Sequence, residues 1–65
     1  MKKYIRVYHN GKPLCGSDYT MVIAGNLTNR QLKNRFEEMH KRVEALSKNV
    51  APHLREGVVE YRVEA

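Results

Sequence analysis

A single cysteine, Cys15, in 65 residues excludes an intrachain disulfide, the usual staple of small domains, and points to a reducing compartment. Metal-ligand spacing is missing as well: His9, His40 and His53 fall on three separate segments, and no metal site or other cofactor is expected. No apolar run approaches the roughly 20 residues that span a bilayer. Met1-Lys2-Lys3 leads straight into Tyr4-Ile5-Arg6-Val7-Tyr8-His9, which interrupts any signal-peptide core. A cytoplasmic protein without a membrane partner is the expectation. Repeats, low-complexity tracts and linkers are absent too, so residues 1–65 read as one domain.

Acidic side chains are absent from residues 1–17, which carry Lys2, Lys3, Arg6 and Lys12, whereas residues 18–65 balance eight basic against seven acidic groups. The net charge of +5 therefore belongs largely to the N-terminal segment. A field of this kind attracts acidic partners, either an acidic protein surface or nucleic acid. A chain this short buries only about 60% of its unfolded surface, so any added interface, including one with a second copy, stabilises it.

Alternation of β-branched and aromatic residues predicts a strand from Lys3 to His9 and a second from Tyr19 to Ala24. Two registers compete in the segment between them. A tight Asn10-Gly11 hairpin pairs His9 with Lys12 and sets Leu14 opposite Val7. A wide loop sets Tyr19 opposite Val7 and Met21 opposite Ile5, which gathers the larger apolar residues on one face and is preferred for that reason.

Thr28 with Gln31 forms a capping-box pattern, and Leu27 with Leu32 a hydrophobic staple, so a helix should start at Asn29. Leu32, Phe36, Met39, Val43, Leu46 and Val50 fall on one apolar stripe at helical spacing. Lys33–Glu37, Glu37–Lys41 and Glu38–Arg42 are spaced as i,i+4 pairs on the opposite face. The helix should end near Lys48, with Asn49 and Pro52 beyond it. After a connector over residues 51–57, Val58 to Glu64 alternates again as a third strand. Right-handed crossover through the helix places this strand beside the first. The fold expected is α+β: a small ββαβ domain, a three-stranded antiparallel sheet of order 2-1-3 with one helix on one face.

Catalytic constellations are poor. Cys15 and His9 share a loop, but no helix N-terminus follows the cysteine to lower its pKa. His40 lies at the margin of the stripe and reads as a half-buried packing residue, and His53 has no visible partner. Gly25 to Arg30 puts a glycine before a helix start, but it lacks the second glycine and the lysine of a P-loop, and ordinary capping explains it. No enzymatic activity is expected.

One helix covers one sheet face, which leaves Tyr4, Arg6, Tyr8, Thr20, Val22, Glu60, Arg62 and Glu64 together on the other. Aromatics beside arginine on an open sheet are found where single-stranded RNA stacks. Here, however, the Lys/Arg-Gly-aromatic signature is missing, and two glutamates flank the arginines. Tyrosine and arginine among mixed charges suit a protein surface better. The function expected is a non-enzymatic binding module, a small regulatory or inhibitory protein of phage or mobile-element type. It would bind protein through Tyr4, Arg6, Tyr8, Val22 and Arg62 and self-associate as a homodimer over Tyr4, Tyr8 and Val22. The alternative is a nucleic-acid binder holding phosphates with Lys2, Lys3, Arg6 and Lys12.

Overall fold

A computed structural model describes residues 2–65. Its elements are β1 (Lys2–His9), β2 (Lys12–Pro13), β3 (Thr20–Ala24), α1 (Asn29–Asn49) and β4 (Val59–Glu64). Short 3₁₀ turns occur at Ser17–Tyr19 and Pro52–Arg55. The sheet is antiparallel with β1 at its centre. Tyr8 and His9 pair with both β2 and β4, while Tyr4, Ile5 and Arg6 pair with both β3 and β4. A strand has two edges, so β2 and β3 follow one another along one edge of β1 and β4 lies along the other. The expected 2-1-3 order is present, with β2 added.

The two competing registers both occur, one after the other. Asn10 (φ 53°) and Gly11 (φ 82°) have the two left-handed residues that a type I′ turn requires. His9 therefore pairs with Lys12, and the Leu14 amide donates to the Val7 carbonyl at 3.0 Å. Met21 nevertheless pairs with Ile5, as in the wide loop, because residues 15–19 bulge out between the two paired stretches. Tyr19 is thereby displaced from its expected place opposite Val7. Facing residues explain the bulge. Leu14 is even-numbered and Met21 odd, so a continuous strand would send them to opposite faces, and an odd-length excursion brings both to the helix side. Both pack against the core.

The helix begins as its capping residues dictate: the Gln31 amide donates to Thr28 Oγ1 at 3.2 Å, and the Thr28 amide donates to Gln31 Oε1 at 3.0 Å. Met39 and Val43 are buried against Ile5, Val7 and Ile23, with Leu32 and Phe36 half-buried beside them. Val50 departs from the expected stripe and is 72% exposed. The helix ends at Asn49, and the Val50 and Ala51 amides both turn back to the Leu46 carbonyl. The place expected for Val50 is taken by Ala51 and Leu54, both 4% exposed, which fold back under the helix in the 3₁₀ turn. The connector is thus part of the core.

A tie on the far side fixes this connector to the hairpin. The Asn10 amide donates to the Val58 carbonyl, and the Val58 amide donates to Asn10 Oδ1 at 3.0 Å. Gly57 (φ 83°) permits the approach, because a Cβ there would collide with the Asn10 side chain. His53, expected to stand alone, meets the edge of the His9 ring, with centroids 5.8 Å apart.

Candidate functional site

Strand pairing brings together the outer-face residues named from the sequence. Tyr4 lies between Val22 and Glu64, Arg6 between Thr20 and Arg62, and Tyr8 between Pro13 and Glu60. Directly opposed residues in an antiparallel pair share a face, so these side chains form one surface opposite the helix.

That surface has two different halves. Over β1 and β4 the charged groups close on Tyr8. The Arg62 guanidinium stacks 4.1 Å above the Tyr8 ring, the Tyr8 hydroxyl donates to Glu64 Oε2, and Glu64 Oε1 lies 3.5 Å from Arg6 Nε. Arg62 Nη2 also meets Glu60 Oε2 at 3.4 Å. Tyr8 is left only 9% exposed, not open as its place in the sequence pattern implied. The Glu64 hydrogen bond raises the Tyr8 phenol pKa above its ordinary value, with burial and the Glu64 charge adding to it and Arg62 and Arg6 opposing. Arg6 Nε is shielded from solvent without a hydrogen bond of good geometry. Ion pairs as exposed as these contribute at most about 1 kcal/mol each.

Over β1 and β3 no described residue closes over the sheet in this way. Tyr4 is 37% and Val22 57% exposed, side by side across the strands. Next to them, a shallow depression of about 560 Å³ runs along Lys2, Val22, Ile23, Ala24 and Asn26.

The four basic residues assigned to phosphate binding are not gathered in one place. Lys2 and Arg6 belong to the outer face, whereas Lys3 pairs with Ile23 and Lys12 with His9 on the helix side. Lys2 and Lys12 mark opposite ends of β1, about 23 Å apart at a strand rise of about 3.3 Å per residue.

A second concavity went unseen in the sequence. Lys33, Phe36, Glu37, His40, Lys41 and Tyr61 line a groove of about 360 Å³ between α1 and β4. His40 is exposed there, not half-buried. Its Nε2 faces Glu44 Oε1 at 3.3 Å, and its Nδ1 lies within hydrogen-bonding distance of the Tyr61 hydroxyl at 3.1 Å. Burial, and then the Glu44 charge, raise the Tyr61 pKa. Helix ion pairing also differs from the expected i,i+4 pattern, since Glu38 is held by both of its oxygens to Arg35 Nη1. The spacing of Phe36 and Tyr61 to their own partners was legible in the sequence; their meeting across elements was not.

Cys15 is a free, exposed thiol. Among the described residues no three His, Cys, Asp or Glu side chains converge as metal ligands, and no helix is long and apolar enough to cross a membrane. No protein-family model, characterised protein or solved structure matches the chain closely enough to assign it to a family.

Proposed function

We propose that this protein is a non-enzymatic binding module that contacts another protein through the outer face of its sheet. The observation that carries the reading is the exposed, cross-strand Tyr4–Val22 pair beside arginines in contact with Tyr8 and the glutamates. An apolar centre bordered by ordered charges is the usual anatomy of a protein interface, with tyrosine and arginine as common anchors. Nucleic acid fits the same face less well, because Glu60 and Glu64 stand where phosphates would lie and the lysines are dispersed.

Affinity capture from host extract at about 150 mM salt separates these readings. The unmodified protein is compared with Tyr4→Ala, with Val22→Asp and with Lys2, Lys3 and Lys12 replaced by alanine. Protein capture lost in the first two variants and kept in the third is the expected result. A hot-spot tyrosine lost to alanine costs about 2 kcal/mol or more, roughly 30-fold in affinity. Capture of nucleic acid, lost in the triple lysine variant and kept in Tyr4→Ala, would sink the proposal. A phosphate-binding surface of that kind would also show affinity falling log-linearly with salt, each phosphate contact contributing about 0.7 to 0.9 to the slope.

A further inference from the structure

Among the described residues the sheet has two open edges, β3 and β4, since each pairs only with β1. Unpaired edge strands are templates for another strand, and their side chains decide whether and how that strand docks. The β3 sequence Thr20-Met21-Val22-Ile23-Ala24 carries no charge, and nothing in it selects one register over another. The β4 sequence Val59-Glu60-Tyr61-Arg62-Val63-Glu64 does select one. Glu60, Arg62 and Glu64 lie on the outer face, opposite Tyr8, Arg6 and Tyr4, and Val59, Tyr61 and Val63 lie on the helix side.

Consider two copies of β4 paired antiparallel about Tyr61. Tyr61 then faces its own counterpart, Val59 faces Val63, and Glu60 faces Arg62 in both directions. Shifting the centre to Arg62 opposes Arg62 to itself and Glu60 to Glu64, and shifting it to Glu60 opposes Glu60 to itself. A centre at Val63 restores opposite charges but leaves Val59 and Glu60 unpaired. Intermediate registers set apolar helix-side residues against charged ones. Self-pairing is therefore complementary on both faces in the Tyr61-centred register and in no other that uses the strand from Val59 to Val63.

The surface flanking this edge leads to the same partner. The groove of Phe36, His40, Lys33, Glu37, Lys41 and Tyr61 opens beside β4. Val63 is 39% exposed although it is on the helix side. A second β4 with its own helix would cover these apolar surfaces, with lysine and glutamate of both signs at the rim.

We propose that β4 is a dimerisation edge, on which a second copy of this chain pairs antiparallel about Tyr61. The two sheets become one, with both helices on the same face, in an isologous two-fold contact. This pairing uses the β4 edge, the helix side and the outer-face charges of Glu60 and Arg62, and it leaves the Tyr4–Val22 pair of the proposed protein-binding surface free. It would also set two Tyr4–Val22 patches on one continuous surface, which allows bivalent engagement of a repeated or dimeric target.

The charge pattern supplies its own test. Glu60→Arg places arginine against arginine in a homodimer, and Arg62→Glu places glutamate against glutamate. An equimolar mixture of the two variants, however, restores both opposite-charge pairs between unlike chains. Sedimentation equilibrium at about 100 μM should find the unmodified protein dimeric, because an interface with a micromolar dissociation constant is occupied there. Each single variant should bind itself about tenfold or more weakly, as expected when two cross-strand pairs change from attractive to repulsive, and the mixture should recover the dimer. Amide hydrogen exchange of the unmodified protein adds a readout that does not rely on the variants folding: protection of β4 should rise with concentration while that of β3 stays constant. A monomer at about 100 μM, a dimer indifferent to both substitutions, or concentration-dependent protection confined to β3 would each overturn the proposal.

Discussion

Leu54→Ala and Val50→Ala exchange the roles that helical periodicity alone would give them. Leu54 sits in a short connector but is 4% exposed, whereas Val50 continues the apolar stripe but is 72% exposed. Removing a buried leucine side chain costs about 2 to 5 kcal/mol, depending on how far the surroundings close over the cavity. The 3₁₀ turn holding Leu54 is short, so partial collapse is expected and the cost should fall near the lower end, about 2 to 3 kcal/mol. Val50→Ala removes little buried area and should change stability by less than about 0.5 kcal/mol. At about 0.05 to 0.15 kcal/mol per residue, the whole domain is worth roughly 3 to 10 kcal/mol, so the Leu54 loss is a large fraction of the total. Urea unfolding followed by far-ultraviolet circular dichroism measures both. With a slope of about 1 kcal/mol/M for so small a protein, the Leu54→Ala midpoint should fall by about 2 M or more. Equal midpoints, or a larger loss for Val50→Ala, would refute the placement of the connector in the core.

The same unfolding assay checks three other expectations. Met39→Ala, at a fully buried position, should cost about 2 to 5 kcal/mol, more than Phe36→Ala at a half-buried one, while Lys41→Ala on the exposed face should stay within about 0.5 kcal/mol. Thr28→Ala removes the acceptor for the Gln31 amide and should cost about 0.5 to 2 kcal/mol, with Thr28→Ser largely preserving stability. Burial raises the folded pKa of Tyr61 above its ordinary value, so the folded state holds that proton more tightly than the unfolded state. Its contribution is then complete below about pH 10 and is lost as pH rises through the folded value. Tyr61→Phe should lessen the decline in stability above pH 10, and an unchanged decline would argue against the burial of that hydroxyl.

How much of this was legible in the sequence depends on how local each determinant is. The helix start was, because Thr28, Gln31, Leu27 and Leu32 act within a single turn. So was the membership of the outer face, because strand alternation and one crossover rule suffice to bring Tyr4, Val22 and Arg62 together. The first hairpin was legible only as two alternatives. A tight Asn10-Gly11 turn and a Met21–Ile5 pairing exclude each other in a continuous strand, and the bulge that reconciles them follows from burial on both sides of it. Ala51 and Leu54 were missed because a 3₁₀ turn this short has no periodicity to detect. Val50 was misplaced because angular projection carries the helix past the point where its backbone turns back to Leu46. The covering of Tyr8 depends on side-chain conformations of Arg62, Glu64 and Arg6, which are set by mutual contact across two strands and leave no signature in either one.

Amide chemical-shift mapping, with the isotope-labelled protein titrated by the purified capture partner, tests the outer-face interface most directly. Shifts and line broadening are expected at Tyr4, Arg6, Val22 and Arg62, with the amides lining the α1–β4 groove unchanged once the dimer is formed. Perturbations centred on Lys12 and the bulge at residues 15–19, or confined to the groove around Phe36 and His40, with Tyr4 and Val22 unmoved, would contradict it.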